Sequence, residues 1–164
     1  MSICIINGAN LNMLGRREPD VYGFDTLGTV VGKCEKLCVE RGIKFEHFQS
    51  NHEGEIIDFI QKSSGMKYFI ANLGAFTHTS IAIRDAFLSI GISAKNNYNN
   101  DTGQSLLLEL HISNIFKREE FRHKSFISDI SIGIISGLGW YGYKIATEFF
   151  IEKIKEKDGS KGGN

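Results

Sequence analysis

Two hydrophobic periodicities alternate along the 164-residue chain. Short apolar runs at Ser2–Ile6 (SICII), Lys44–Gln49 (KFEHFQ), Tyr68–Ala71 (YFIA), Leu106–Ile112 (LLLELHI) and Ser131–Ser136 read as strands. Helical spacing separates them. Leu27, Val30, Val31, Cys34, Leu37 and Cys38 recur on one face until Gly42 ends the pattern, and Ile56, Ile57 and Ile60 mark a helix over Glu53–Lys62. Further helices are predicted from about Ser80 to Ser89, and from about Tyr141 to Lys155 after the Gly137-Leu138-Gly139 turn.

Strands that are apolar on both faces, each followed by an amphipathic helix, require a parallel sheet covered on both sides. The predicted fold class is therefore α/β, a flavodoxin-like three-layer sandwich with a five-stranded parallel sheet. Ligands in such sheets bind outside the carboxyl ends of the strands, where strand order reverses. The loops that leave strands one, three and four are the polar ones: NGANLNMLGRREPDVYG, NLGAFTHTS and HISNIFKREEFRH. The first is far longer than a βα connection needs and carries the only proline of the chain, Pro19. Residues 1–155 read as one domain, interrupted by a polar, Asn-rich surface insert at 93–105 and followed by a glycine-rich tail, 156–164, expected to be disordered.

Composition narrows the function classes. The 19 basic residues cancel the 19 acidic ones, so the overall charge favours neither nucleic acid nor an anionic membrane as partner. No apolar stretch approaches the roughly eighteen residues of a membrane span. The N-terminus begins a strand without a signal-like segment, which points to a cytoplasmic protein. The three cysteines, Cys4, Cys34 and Cys38, suggest buried reduced thiols rather than a disulfide framework. No Cys/His/carboxylate set stands at ligand spacing, so no metal is expected. The glycine-rich GLGWYG lacks a full dinucleotide or phosphate-loop fingerprint.

The segments NGANLNMLGRREPDVYG, FQSNHEGEIIDFI, NLGAFTHTSIAIRDA, ELHISNIFKREEFRHKS and GIISGLGWYGY together resemble the type II 3-dehydroquinate dehydratases, or type II dehydroquinases, in one order over roughly Ile3 to Glu148. The resemblance implies reversible loss of water from 3-dehydroquinate to give 3-dehydroshikimate, with no cofactor and no metal. It also implies a homo-oligomer, usually a dodecamer of four trimers.

Removing a proton beside a ketone needs a base at the C–H bond and donors for the developing enolate; expelling a hydroxyl needs an acid. By resemblance Tyr22 is the base, and because a free phenol has a pKa near about 10 it must be tuned. Arg17, five residues earlier in the loop, supplies a guanidinium that favours phenolate and matches the family's transition-state arginine. Asn10 matches an asparagine that binds a water or steadies the enolate. His111 matches the general acid, and an imidazole pKa near about 6.5 suits that work. Glu109 lies on the same face of the strand and is placed to orient His111 through its other ring nitrogen. Without the motif, Tyr22 would read as a half-buried loop tyrosine and His111 as a satisfied structural histidine; the match over most of the chain reverses those readings.

For the substrate, the backbone amides of Ile112 and Ser113 match a carboxylate-binding pair, with the Ser113 hydroxyl as a further donor. Asn72 and His78 match residues that hold the carboxylate and a ring hydroxyl, and Arg122 matches an arginine that meets a substrate hydroxyl. Asp85 matches an aspartate that reaches the active site of the neighbouring subunit in the trimer. Arg16, Asn7 and Asn12 read as ordinary loop residues, Arg118, Glu119 and Glu120 as a mixed-charge helix face, and His47, His52 and His123 have no assigned role. Gly15 and Gly23 are placed to hinge the first loop as a lid, with Pro19 stiffening its middle.

The chain departs from the family pattern at Ala9 and Leu73, where proline is usual, at Phe76, where tyrosine is common, and in the insert, which is expected to lie at the far end of the sheet from the catalytic loops. Two other classes compete: a flavodoxin-like nucleotide or flavin module, which would need aromatic stacking and a phosphate nest in the first loop, and a catalytically dead structural oligomer. A Schiff-base dehydratase would call for a longer β/α barrel.

Overall fold

The computed structural model describes residues 1–15, 25–95 and 104–160. Five parallel strands, β1 (Ser2–Asn7), β2 (Lys44–Gln49), β3 (Tyr68–Asn72), β4 (Leu106–His111) and β5 (Ile134–Ser136), form one sheet in the order β2-β1-β3-β4-β5. That is the flavodoxin-like order. The helices are α1 (Leu27–Val39), α2 (Glu53–Lys62), α3 (Ile81–Ser89) and α4 (Tyr141–Ser160).

Strand alternation divides the core. Ile3, Ile5, Ile70 and Leu108 pack with Val30, Cys34, Tyr143 and Phe150 under α1 and α4. Cys4, Ile6, Phe69, Ala71 and Leu107 face the other way, against Ile56, Ile60, Ile83 and Phe87 of α2 and α3. Successive strand residues point to opposite faces, so a continuous apolar run supplies both halves. All three cysteines are free and buried, and burial raises each thiol, Cys38 to about 12. Two helix starts are capped by side chains: the hydroxyls of Thr26 and Ser80 accept from the amides of Thr29 (3.2 Å) and Ile83 (2.9 Å).

Two predicted boundaries move. The fifth strand begins at Ile134 rather than Ser131, because Ser128–Ile130 closes a 3-10 turn and the Ser131 hydroxyl bonds back to the Ile127 carbonyl at 2.8 Å. The last helix passes Lys155 and reaches Ser160: Ile151 and Ile154 continue its buried stripe, and Lys155 pairs with Glu152 at 2.6 Å. Most of the insert, 96–103, lies outside the described residues. Among the described residues no helix is long and apolar enough to cross a membrane.

Candidate active site

An open pocket of about 820 Å³, its mouth included, sits at the carboxyl end of the sheet. Among the described residues, its wall comes mainly from three loops: Ala9 to Leu14 after β1, Gly74 to His78 after β3, and Ile112 to Arg122 after β4. These are the strands flanking the reversal of strand order and the next strand outward.

His111 closes β4 and is buried. Its Nε2 lies 2.6 Å from Oε1 of Glu109, which is fully buried, and the Ser128 hydroxyl donates to the other carboxylate oxygen at 2.5 Å. Both oxygens of a carboxylate removed from water thus have donors, as such burial requires. Since a carboxylate only accepts, Nε2 of His111 carries a proton, and Nδ1 is left for the pocket.

His78 stacks beside His111, ring centroids 5.9 Å apart and planes 14° from parallel. Its Nδ1 donates to the Lys124 carbonyl at 2.8 Å. Burial holds this imidazole below its ordinary value, and the nearby charges of His111 and Arg122 add to that, against the opposing pull of the Lys124 carbonyl and Glu109. The ring is therefore neutral near pH 7, with Nε2 a bare acceptor.

The first and third loops interlock. A Cβ on Gly8 would stand 2.0 Å from the Leu73 carbonyl oxygen, and one on Gly74, at φ 58°, 2.6 Å from the Ala9 oxygen. Only glycine permits this approach. Asn10 adopts φ 67°, and its amide donates to the Asn51 side chain at 2.8 Å. Backbone packing and Asn51 therefore fix the start of the loop around Ala9.

Behind the pocket runs a polar chain, buried from Asn72 to Asn7 and ending at exposed His47. Asn72 Nδ2 donates to the Tyr143 hydroxyl at 2.7 Å, that hydroxyl donates to Asn7 Oδ1 at 2.5 Å, and Asn7 Nδ2 meets His47 Nε2 at 3.0 Å. Asn7 and Tyr143 have no exposed surface, and Asn72 almost none. Burial pushes the Tyr143 phenol up, well above its usual range.

On the β4 side, the Gly137 and Gly139 amides take the carbonyls of His111 and Ile112, and the Ser136 hydroxyl takes that of Ser113. The amides of Ile112 and Ser113 have no partner among the described residues, so they remain as paired donors. Arg122 Nε bonds Glu119 at 2.8 Å, and Arg118, also at the pocket, approaches the same carboxylate at 3.4 Å. Hydrogen bonds, first that from its own backbone and then that from Arg122, hold Glu119 below the usual carboxylate value.

Of the residues expected to act together, Asn10, Asn72, His78, His111, Ile112, Ser113 and Arg122 line the one pocket, with Glu109 directly behind. Asp85 is exposed on α3 and outside that lining. Tyr22 and Arg17, with Arg16, Pro19 and Gly23, lie outside the described residues. Sequence patterns point to none of Ser128, Tyr143 and Asn51, and they give Arg118, Glu119, Asn7 and His47 no role at the site. Tyr143 sits in an apolar helical stripe and Ser128 in a serine-rich turn, so neither carries a local signal. Among the described residues no group of three His, Cys, Asp or Glu side chains could hold a metal ion.

The model of the family "Dehydroquinase class II" matches residues 1–151. The chain is 50% identical over 153 residues to a 3-dehydroquinate dehydratase of Prochlorococcus marinus subsp. pastoris, covering 93% of this chain and 96% of that one. It is 47% identical over 158 residues to a catabolic 3-dehydroquinase of Penicillium rubens, covering 96% and 94%. Among solved structures, a type II dehydroquinase from Butyrivibrio crossotus superposes with a TM-score of 0.80 at 40% identity, over 91% of this chain and 96% of that one. With its sheet order, its pocket and these likenesses taken together, the chain belongs to the class II dehydroquinase family.

Proposed function

We propose that the chain is a hydro-lyase of the shikimate pathway that interconverts 3-dehydroquinate and 3-dehydroshikimate through an enolate. The observation that carries this reading is the buried Glu109–His111 pair opening onto a pocket that also offers His78, paired amides and two arginines.

Tyr22, as phenolate beside Arg17, takes the proton next to the ketone, and the electron pair moves onto the carbonyl oxygen. Asn10, directly or through a water, steadies that oxygen. As the enolate collapses, His111 gives its Nδ1 proton to the departing hydroxyl, which leaves as water. Glu109 keeps the other ring proton on Nε2, so the delivered proton has one source. A carboxylate at 2.6 Å also compensates the charge of a doubly protonated ring.

The substrate carboxylate sits on the amides of Ile112 and Ser113, with Asn72 beside them. The bare Nε2 of neutral His78 accepts from a ring hydroxyl, and Arg122 meets another. No cofactor enters this sequence of steps. Asp85 serves a neighbouring subunit's site, in a dodecamer of four trimers, which its exposed place on α3 permits. A flavin module is the weaker reading, because the pocket wall, among the described residues, holds no Phe, Tyr or Trp to stack on a ring.

The test follows the conjugated enone in the ultraviolet as 3-dehydroquinate is converted, for wild type and Tyr22→Phe. The wild type turns over and the variant does not. An inert wild type would overturn the activity; a fully active Tyr22→Phe would remove the base alone. Sedimentation of the wild type as a species smaller than a trimer would remove Asp85 from its proposed role.

A further inference from the structure

The chain from Asn72 to His47 has one possible direction. An asparagine side chain can usually be turned end for end without visible consequence. Here the Gly74 backbone amide, which can only donate, points at Asn72 Oδ1 at 3.4 Å. That contact assigns the oxygen, so the group 2.7 Å from Tyr143 is Nδ2. The phenol then accepts from Asn72 and must give its single proton to Asn7 Oδ1. Asn7 in turn offers Nδ2 to His47, whose Nε2 is thereby the unprotonated nitrogen.

Asn72 Nδ2 carries two hydrogens, and Tyr143 takes one. The other belongs to a residue of the pocket wall. We propose that Tyr143 and Asn7 are positioning residues for Asn72, locking its amide so that one N–H is presented to the substrate before it arrives. A tyrosine and an asparagine with no exposed surface are a costly way to fill space that Phe and Leu would fill well. Their joint orientation accounts for their presence. The inference rests on the reading of Asn72 as a substrate-binding group.

The experiment is steady-state turnover of 3-dehydroquinate by Tyr143→Phe, Asn72→Ala and the double variant, with the fold checked by circular dichroism. Loss of the lock raises KM about tenfold in Tyr143→Phe, with kcat within about twofold, since the groups that move protons are untouched. In the Asn72→Ala background the same change adds nothing further to KM, because the residue through which Tyr143 acts is gone. Asn7→Asp retains an acceptor for the phenol, meets His47 once that ring carries its proton on Nε2 instead, and keeps KM near the wild-type value. A folded Tyr143→Phe with unchanged KM, or an equal KM effect in both backgrounds, overturns the inference. If Tyr143→Phe does not fold, Asn7→Ser opens the same link and replaces it in the cycle with the same two outcomes. A wild type without turnover would instead sink the proposed activity.

Discussion

Glu109 and His111, two residues apart on β4, meet through a 2.6 Å hydrogen bond in a place where Glu109 has no contact with solvent. The bond sets which nitrogen of His111 faces the pocket, so loss of the acid and loss of its partner have different consequences. His111→Ala removes the proposed proton donor, and kcat is expected to fall by about 10²–10⁴. Glu109→Gln keeps an acceptor for Nε2–H but removes the charge, and the loss is smaller. Rates of enone formation for the two variants check the order; an inverted order would mean that Glu109 does more than orient and compensate His111.

Ser128 donates to the carboxylate oxygen that His111 does not use. Ser128→Ala leaves that oxygen buried without a donor, which costs about 1–3 kcal/mol of stability. Thermal unfolding is expected to show this, together with a lower kcat, and Ser128→Thr restores both by returning a hydroxyl. A stable, fully active Ser128→Ala would contradict it.

The fold was legible because β1 to β4 and the helices are long enough to declare their periods, whereas β5, three residues long, does not and its start was misplaced. Pocket-lining residues were legible where they stand at strand ends or in the polar loops beyond them, as Asn10, His78 and His111 do. Those that escaped are defined by contact across the chain. Tyr143 reaches Asn7 from 136 residues away, and Ser128 reaches Glu109 from a turn whose serines look interchangeable. Glycine spacing gave no warning that Gly8 lies against the Leu73 backbone.

Burial holds both His47 and His78 below their ordinary value. An unfolded histidine titrates near about 6.5, so on lowering the pH the unfolded chain takes up protons before the folded one does. Stability from these residues is fully present above that value and is lost as pH falls through the folded values. His47 keeps exposed surface, so solvent screens the shift and the effect is modest. Denaturant midpoints at pH 7.5 and about pH 5.5 are expected to differ less in His47→Gln than in wild type, since glutamine accepts from Asn7 without titrating. An equal difference in both proteins would remove His47 from the account.

Arg84 on α3 does not touch the pocket, yet it holds the segment that supports two pocket histidines. Its guanidinium donates to the Phe126 carbonyl at 2.6 Å and grips Asp129 with both terminal nitrogens, one of them at 2.8 Å. From the same segment Lys124 offers its carbonyl to His78, and Ser128 its hydroxyl to Glu109. The hydrogen bond from Arg84 holds the Asp129 carboxyl below its ordinary value. Because the Asp129 side chain is 62% exposed, the ion pair itself adds no more than about 1 kcal/mol. Its geometry matters more: lysine keeps the charge but cannot make the planar fork. Arg84→Lys is therefore expected to leave the melting temperature nearly unchanged while turnover drops about threefold to tenfold, as the two rings lose their fixed supports. Unaltered turnover at unaltered stability would mean that the segment holds its shape without the fork, through the Phe126 amide on the Thr77 carbonyl at 2.9 Å and the Ser125 hydroxyl on the amides of Ile127 and Ser128 at 3.1 Å.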